Sequence, residues 1–449
     1  MSGWAAVGVD PSSCPRSDDR IMTFLQEYHA SRVGGAADRS RLQVLRDWLV
    51  SRPHEMFDDL LEHEPTLRVG SMVFVTRYRD AIEVLARNDV FSVAPYGEAM
   101  MRINRGPNFL LGMDDGTEYR RQLHVLGRAF HREDVDRIRT IVLARATQLV
   151  EAARPDGRLD LAADFGRVVP ALFVGDYFGV PGPDPRTLAQ WARTIFTDAF
   201  INVLGVPVLT RRAMRASKAF RAYLDALIAR TRVERAAGVV RDDVLGRMLS
   251  QQDAGDRDLT DARIRDNLLW CVSGMIDNVN TALCRIVDLL LSDPAVMADG
   301  VAAAQADDAG RLHALACEAL RFHTPTPVVA RRSVRAHVLS RGTPLERTIA
   351  PGTLTFVGVG AAMMDHGAIE APRTFRTDRP SAHYLHFGVG LHKCLGAHIA
   401  VEHLIGMVGC LLRVPGGIRR GRGVSGRLRC VGPFPDRLVI EFPVRRAAA

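Results

Sequence analysis

Ten consecutive residues carry the sharpest chemical signal in this chain: Phe387-Gly388-Val389-Gly390-Leu391-His392-Lys393-Cys394-Leu395-Gly396. Cysteine ligates a metal as the thiolate, and a free thiol titrates at about 8.5, so a ligating sulfur needs help to stay ionised. Gly388 and Gly390 permit tight turns that aim amide N–H groups at the sulfur. Cys394 also stands just before Ala397, Ala400, Val401 and Leu404, an apolar run at helical spacing. The free N–H groups and dipole at such a helix start favour negative charge. Gly396 lets the helix lie flat against a planar group, and Phe387 keeps water from the sulfur. A lone cysteine is more often a small buried hydrophobe. Phenylalanine, three glycines, histidine and cysteine in one fixed window argue instead for a built ligand. Zinc is the competing metal, since His383, His386, His392, His398 and His403 surround Cys394. Their spacings are not the paired short loops of structural zinc sites, and no second cysteine is close.

The window matches the pattern F-G-x-G-x-H-x-C-x-G, and over residues 67–442 the chain resembles the cytochrome P450 family. The resemblance implies haem b with Cys394 as axial iron ligand. It also implies a mainly α, minor β fold: a triangular helical domain whose long central helix crosses the haem. Phe387, Gly388, Gly390, His392 and Gly396 would meet the cofactor, with His392 at a position that often contacts a propionate. Arg331 or Arg332 resembles the strand arginine that serves the same purpose. The family's earlier His-x-x-x-Arg pattern is missing from the related segment, residues 113–124. Tyr119, Arg120, Arg121 or His124 is the expected substitute there, with a solvated helix face as the plain alternative.

Glu318 and Arg321, three apart, share a helical face and can pair. Alone that would be a common surface ion pair. The resemblance adds Arg379, and implies a buried bidentate network that locks the cysteine loop in place.

The central helix departs from the family. In place of an alanine-glycine pair followed by an acid and threonines, the chain reads Ser273-Gly274-Met275-Ile276-Asp277-Asn278-Val279-Asn280-Thr281. Anchored on Gly274, Ile276 fills the acid slot; anchored on Pro294, Asp277 does. Neither register puts a threonine in the alcohol slots. Gly274, Asp277, Asn278 and Thr281 share a face by spacing, and a polar face inside an apolar helix must be hydrogen-bonded or line a wet cavity. Asp277 and Asn278 are therefore expected to face the distal pocket and hold water or substrate. The alternative is that they bond to a neighbouring helix.

These motifs need elements to position them. Helical periodicity runs over residues 118–153 and 187–237, and a long helix is expected from about Thr260 to Ser292, ended by Asp293-Pro294. A further helix over residues 308–322 stops before Pro325. Strand patterns lie at residues 66–75, 328–339, 353–359 and 428–442, the last a hairpin turned at Gly432-Pro433. Residues 1–40, rich in Gly, Ser, Asp and Arg, read as a loosely ordered N-terminal tail ahead of a single domain over residues 41–449.

The 449 residues are 47% hydrophobic and 24% charged, enough to build a large core. The net charge of +8 comes almost wholly from arginine, Lys218 and Lys393 being the lysines. The arginines are interleaved with acids, unlike the dense basic blocks of a nucleic-acid binder. Seven cysteines with no C-x-x-C argue against a disulfide framework and for a reducing cytoplasm. No segment reads as a signal peptide or membrane anchor.

The function implied is a monooxygenase placing oxygen from dioxygen into a small, largely apolar molecule of secondary metabolism. A separate ferredoxin or flavodoxin with its reductase would supply electrons to a monomeric enzyme, with Lys393 and nearby arginines steering the acidic partner. The altered central helix keeps a second chemistry open: peroxide use, oxidative coupling, desaturation or rearrangement.

Overall fold

Aspartates and threonines begin the helices by satisfying first-turn N–H groups that have no partner within the helix. In the computed structural model, which describes residues 22–31 and 41–443, Thr260 accepts from the Arg263 N–H and opens a helix over Asp261–Leu290. At 1.5 Å per residue this central helix is about 45 Å long. Asp293 caps the next helix, Pro294–Gln305, with proline at its first position, where no N–H is needed. Asp308 caps Ala309–Phe322, the helix carrying Glu318 and Arg321. The last helix, Ala397–Leu412, starts three residues after Cys394.

The central helix is sheathed by its neighbours. Pro185–Phe196 and Pro207–Ala236 pack on it, as do Ala309–Phe322 and Ala397–Leu412. Leu268, Leu269, Val272, Ile276, Leu283 and Ile286 are buried along its length. Its apolar end near Leu290 is interior, and among the described residues no helix is long and apolar enough to cross a membrane. Glycine permits one close crossing: an added carbon at Gly166 would lie 2.2 Å from the Asn280 side chain.

The β structure is small and peripheral. Five strands run in the order Thr66–Val69, Met72–Val75, Leu354–Gly358, Val328–Ser333 and Phe91–Ser92. Met72–Val75 pairs parallel with Leu354–Gly358, while the other pairings are antiparallel. Arg429–Val431 and Phe434–Arg437 form the expected hairpin, with Gly432 at φ +59° in the turn. Val439–Glu441 joins a separate sheet between Arg158–Asp160 and Arg419–Arg420. The architecture is mainly α with minor β, as expected.

The reading of residues 1–40 as a loose tail needs correction where they are described. Part of the segment read as a loose tail is a helix, Phe24–Ala30, whose Phe24, Leu25 and Tyr28 are buried. Thr23 and Gln26 form a reciprocal capping box at its start, a Thr-x-x-Gln signal present in the sequence. The Leu25 N–H donates to Asp59, tying it to the helix Pro53–His63. The remainder of residues 1–40 lies outside the described residues.

Candidate active site

Two elements face each other across a large internal cavity. The central helix contributes Cys271, Gly274, Met275, Asn278, Val279 and Ala282. Opposite stand Phe387, Gly388, His392, Cys394, Leu395 and Gly396. The cysteine loop is folded by its own backbone: the Cys394 N–H donates to the Phe387 carbonyl at 2.8 Å, and Gly388 N–H to Leu385 at 2.8 Å. Gly388 and Gly390 take φ of +69° and +72°, a left-handed conformation that other residues rarely adopt. At Gly390 a side-chain carbon would also press on the Leu85 carbonyl at 3.1 Å.

The Cys394 sulfur is accessible, but from the cavity, with protein packed around it. Burial pushes its thiol up, and a hydrogen bond from the Gly396 N–H opposes that shift. The sulfur therefore holds its proton at neutral pH until a bound cation takes up the charge. Cys271, on the facing helix, is pushed up to about 12 by burial, with Cys394 adding to the shift.

The loop is braced from behind as expected. Arg321 donates two bonds to Glu318, at 2.7 and 2.9 Å, and Arg379 a third at 3.1 Å. The Arg376 N–H adds a fourth at 3.0 Å, and the Tyr384 hydroxyl lies 3.3 Å from the other carboxylate oxygen. Arg379 also donates to the carbonyls of Glu370, Ala371 and Thr374, gathering the irregular segment before the loop. Burial would raise the Glu318 carboxyl, yet these bonds outweigh it and hold it below the usual glutamate range.

Along one rim of the cavity several polar atoms lack partners, while the Arg331 Nη1 donates to the Ala330 carbonyl at 2.9 Å. Both ring nitrogens of His392 and the Nε of Arg331 are buried without a hydrogen bond. Burial, reinforced by Arg331, lowers His392 to about 4, so the ring is neutral. The register left open by sequence resolves to Arg331, which lines the cavity, whereas Arg332 turns outward to Glu98. Such unpaired buried groups are costly unless a ligand meets them. On the facing walls, carbons added at Gly274 and Gly396 would meet nothing within 4 Å. The sulfur, the flat glycine walls and a rim with three unpaired nitrogens together fit a planar, metal-centred macrocycle bearing acidic arms.

Other expected residues fall elsewhere. Asp277 does not line the cavity: Arg193 holds it bidentately, at 2.6 and 2.9 Å, and Arg167 approaches to 3.5 Å. Thr281 is buried with its hydroxyl on the Asp277 carbonyl at 2.7 Å, and is likewise off the cavity wall. Successive helical residues differ by about 100°, which turns Asp277 toward Pro185–Phe196 while Asn278 keeps the cavity. Asn278 donates to the Gly274 carbonyl at 2.7 Å. Arg121 points away, toward Glu118, Asp256 and Asp258; Arg120 pairs with Asp115, and His124 is exposed. Tyr119 supports the loop from outside, its hydroxyl donating to the Leu391 carbonyl at 2.7 Å and its ring meeting His392 edge-on. Sequence reasoning missed Arg193 and Cys271, which sit in no local motif. Among the described residues no group of three or more His, Cys, Asp or Glu could hold a further metal ion.

Comparison with known proteins agrees with this geometry. Pulcherriminic acid synthase of Bacillus subtilis is 24% identical, the match covering 80% of this chain and 87% of that protein. Mycinamicin IV hydroxylase/epoxidase of Micromonospora griseorubida is 27% identical over 81% and 88%. Cyclomarin C epoxidase of Salinispora arenicola is 26% identical over 77% and 85%. Among solved structures, CalO2 superposes with a TM-score of 0.73 at 23% identity, covering 88% of this chain and 96% of that one. The family model for Cytochrome P450 matches residues 64–414, a span running from the first strand through the braced cysteine loop to the last helix. The chain belongs to the cytochrome P450 family.

Proposed function

We propose that the chain is a haem-thiolate monooxygenase acting on a small, largely apolar molecule of secondary metabolism. The observation that carries this reading is the pairing of Cys394 with the unpaired ring nitrogens of His392 and the unpaired Nε of Arg331 in one apolar cavity. The relatives named as synthase, hydroxylase and epoxidase support the metabolic setting.

Cys394 would ligate the iron of haem b, His392 and Arg331 would meet the propionates, and Gly396 and Gly274 would admit the flat ring. Bound there, the haem supplies activation of dioxygen with two external electrons. Phe387 and its apolar neighbours exclude water from the sulfur. The Glu318 network holds the loop rigid, so the sulfur keeps its place. With its amide N–H committed to Gly274, Asn278 offers its carbonyl oxygen to a hydroxyl or water in the cavity. Lys393 is exposed beside the cysteine and suits an acidic ferredoxin or flavodoxin served by its own reductase. The enzyme would work as a cytoplasmic monomer.

A second reading is favoured by one observation: the acid of the central helix is tied to Arg193, and Asn278 stands in the wall with no threonine from that helix beside it. That arrangement suits peroxide use, oxidative coupling, desaturation or rearrangement. Peroxide use and rearrangement consume neither dioxygen nor reductant, whereas monooxygenation consumes one dioxygen and two electrons per product. Desaturation and coupling consume the same but leave no atom of labelled dioxygen in the product, which separates them. The thiolate is tested directly. Reduced haem-loaded protein should give the carbon monoxide band from which the family takes its name, and Cys394→Ser should abolish it while the fold persists. A band that survives the substitution overturns the assignment. In Asn278→Ala, reductant should be spent with less product, and unchanged coupling removes Asn278 from the chemistry.

A further inference from the structure

Away from Cys394, five aromatic rings touch one another in a chain along a cavity wall that is otherwise largely aliphatic. Trp270 lies near-parallel to Phe109, with centroids 6.2 Å apart, and meets Phe200 edge-on at 6.4 Å. Phe200 stacks on Phe196 at 4.7 Å and leans on Tyr96 at 5.1 Å. All five line the cavity. Four of them are buried, whereas Phe200 is half-buried. It sits in the widened helical turn Thr197–Ile201 and borders a second, smaller apolar pocket beside Phe434. Wide turns of this kind re-aim side chains and recur at functional sites.

The polar groups of this shell are uncharged and partly engaged, which leaves the Asn278 carbonyl oxygen for a neutral hydroxyl. Trp270 donates to Asn104 at 2.8 Å, the Tyr96 hydroxyl oxygen takes the Ala330 N–H, and the Asn278 amide donates to Gly274. Arg331 is the one Arg, Lys, Asp or Glu in the wall among the described residues, and it stands beside His392 at the rim. A charged guest would find no counter-charge within the shell, and burying an unpaired charge is prohibitive. Aromatic faces and edges reward a flat ring by offset or edge-on contact that a saturated ring of equal size does not receive.

We infer that the cavity selects an uncharged, flat aromatic substrate, with Phe200 as the residue that sets the preference. This rests on the reading of the cavity as the substrate pocket of a haem-thiolate enzyme. The haem-loaded protein is titrated calorimetrically with 2-naphthol, its saturated counterpart decahydro-2-naphthol, and 2-naphthoate. The aromatic alcohol should bind about tenfold tighter than the saturated one, as a few ring contacts would give, and the carboxylate more weakly than either. Phe200→Leu should erase most of the aromatic preference while leaving the saturated alcohol's affinity in place, and Phe200→Tyr should retain the preference. Equal binding of the two alcohols overturns the aromatic assignment, and tighter binding of the carboxylate overturns the neutral one. A preference that survives Phe200→Leu removes Phe200 from the selection; if that variant fails to fold, the three titrations of the parent protein still decide the substrate class. The carbon monoxide band of the same sample separates the two layers: its presence with unselective binding sinks this inference alone, and its absence sinks the underlying reading.

Discussion

The carboxylate of Glu318 and the imidazole of His392 are both buried polar groups near arginines, yet their surroundings are opposite. Each Glu318 oxygen is engaged, by Arg321, Arg379, the Arg376 N–H and Tyr384. Neither His392 nitrogen is, and the adjoining Arg331 Nε is equally bare. A closed network spends its polarity on rigidity, whereas an open one holds it for a ligand. The difference separates the frame of this site from its working surface.

The largest test of the closed side is Glu318→Ala, which leaves two buried arginines without their carboxylate. It should cost about 3–5 kcal/mol in urea unfolding and scarcely accumulate as folded protein. The same network sets an acid limit. Because the folded carboxyl lies below the usual glutamate range, its contribution is complete above that range and disappears as pH falls through the folded value. Acid unfolding followed by circular dichroism should show this, and Glu318→Gln should flatten that limb.

Asp277→Asn breaks the second closed pair, with Arg193. A loss of about 2–4 kcal/mol is expected with the carbon monoxide band intact. If stability is instead unchanged and substrate binding collapses, Asp277 belongs to the open side after all. His392→Phe probes that open side. Apoprotein stability should hold or rise slightly, because an unsatisfied group is removed, while haem transfer to a scavenger apoprotein quickens about tenfold, the loss of one hydrogen bond to a charge of about 1.5 kcal/mol. The smallest effect belongs to Arg121→Ala. Its carboxylate partners lie at a part-exposed surface, so stability should move by less than about 1 kcal/mol and haem retention not at all.

What could be read from sequence was whatever consecutive residues or helical spacing encode. The cysteine loop is one such unit: its glycines set the turns, and its hydrogen bonds close within ten residues. Glu318 and Arg321 pair across one helical turn, and the central helix carries its own cap and stop. The Thr23 capping box was equally local, but a short apolar patch in a polar segment obscured it.

Only the tertiary structure decided where the polar residues of the central helix turn. Asp277 and Arg193 are 84 residues apart, and Arg121 lies 135 from Asp256, separations over which no periodicity carries information. The contacts among Tyr96, Phe109, Phe196, Phe200 and Trp270 likewise join distant stretches of the chain. Composition and spacing establish which residues share a helix face. The rotation of that face toward cavity or neighbour is set by packing, because a single residue step of about 100° exchanges a buried ion pair for a cavity wall.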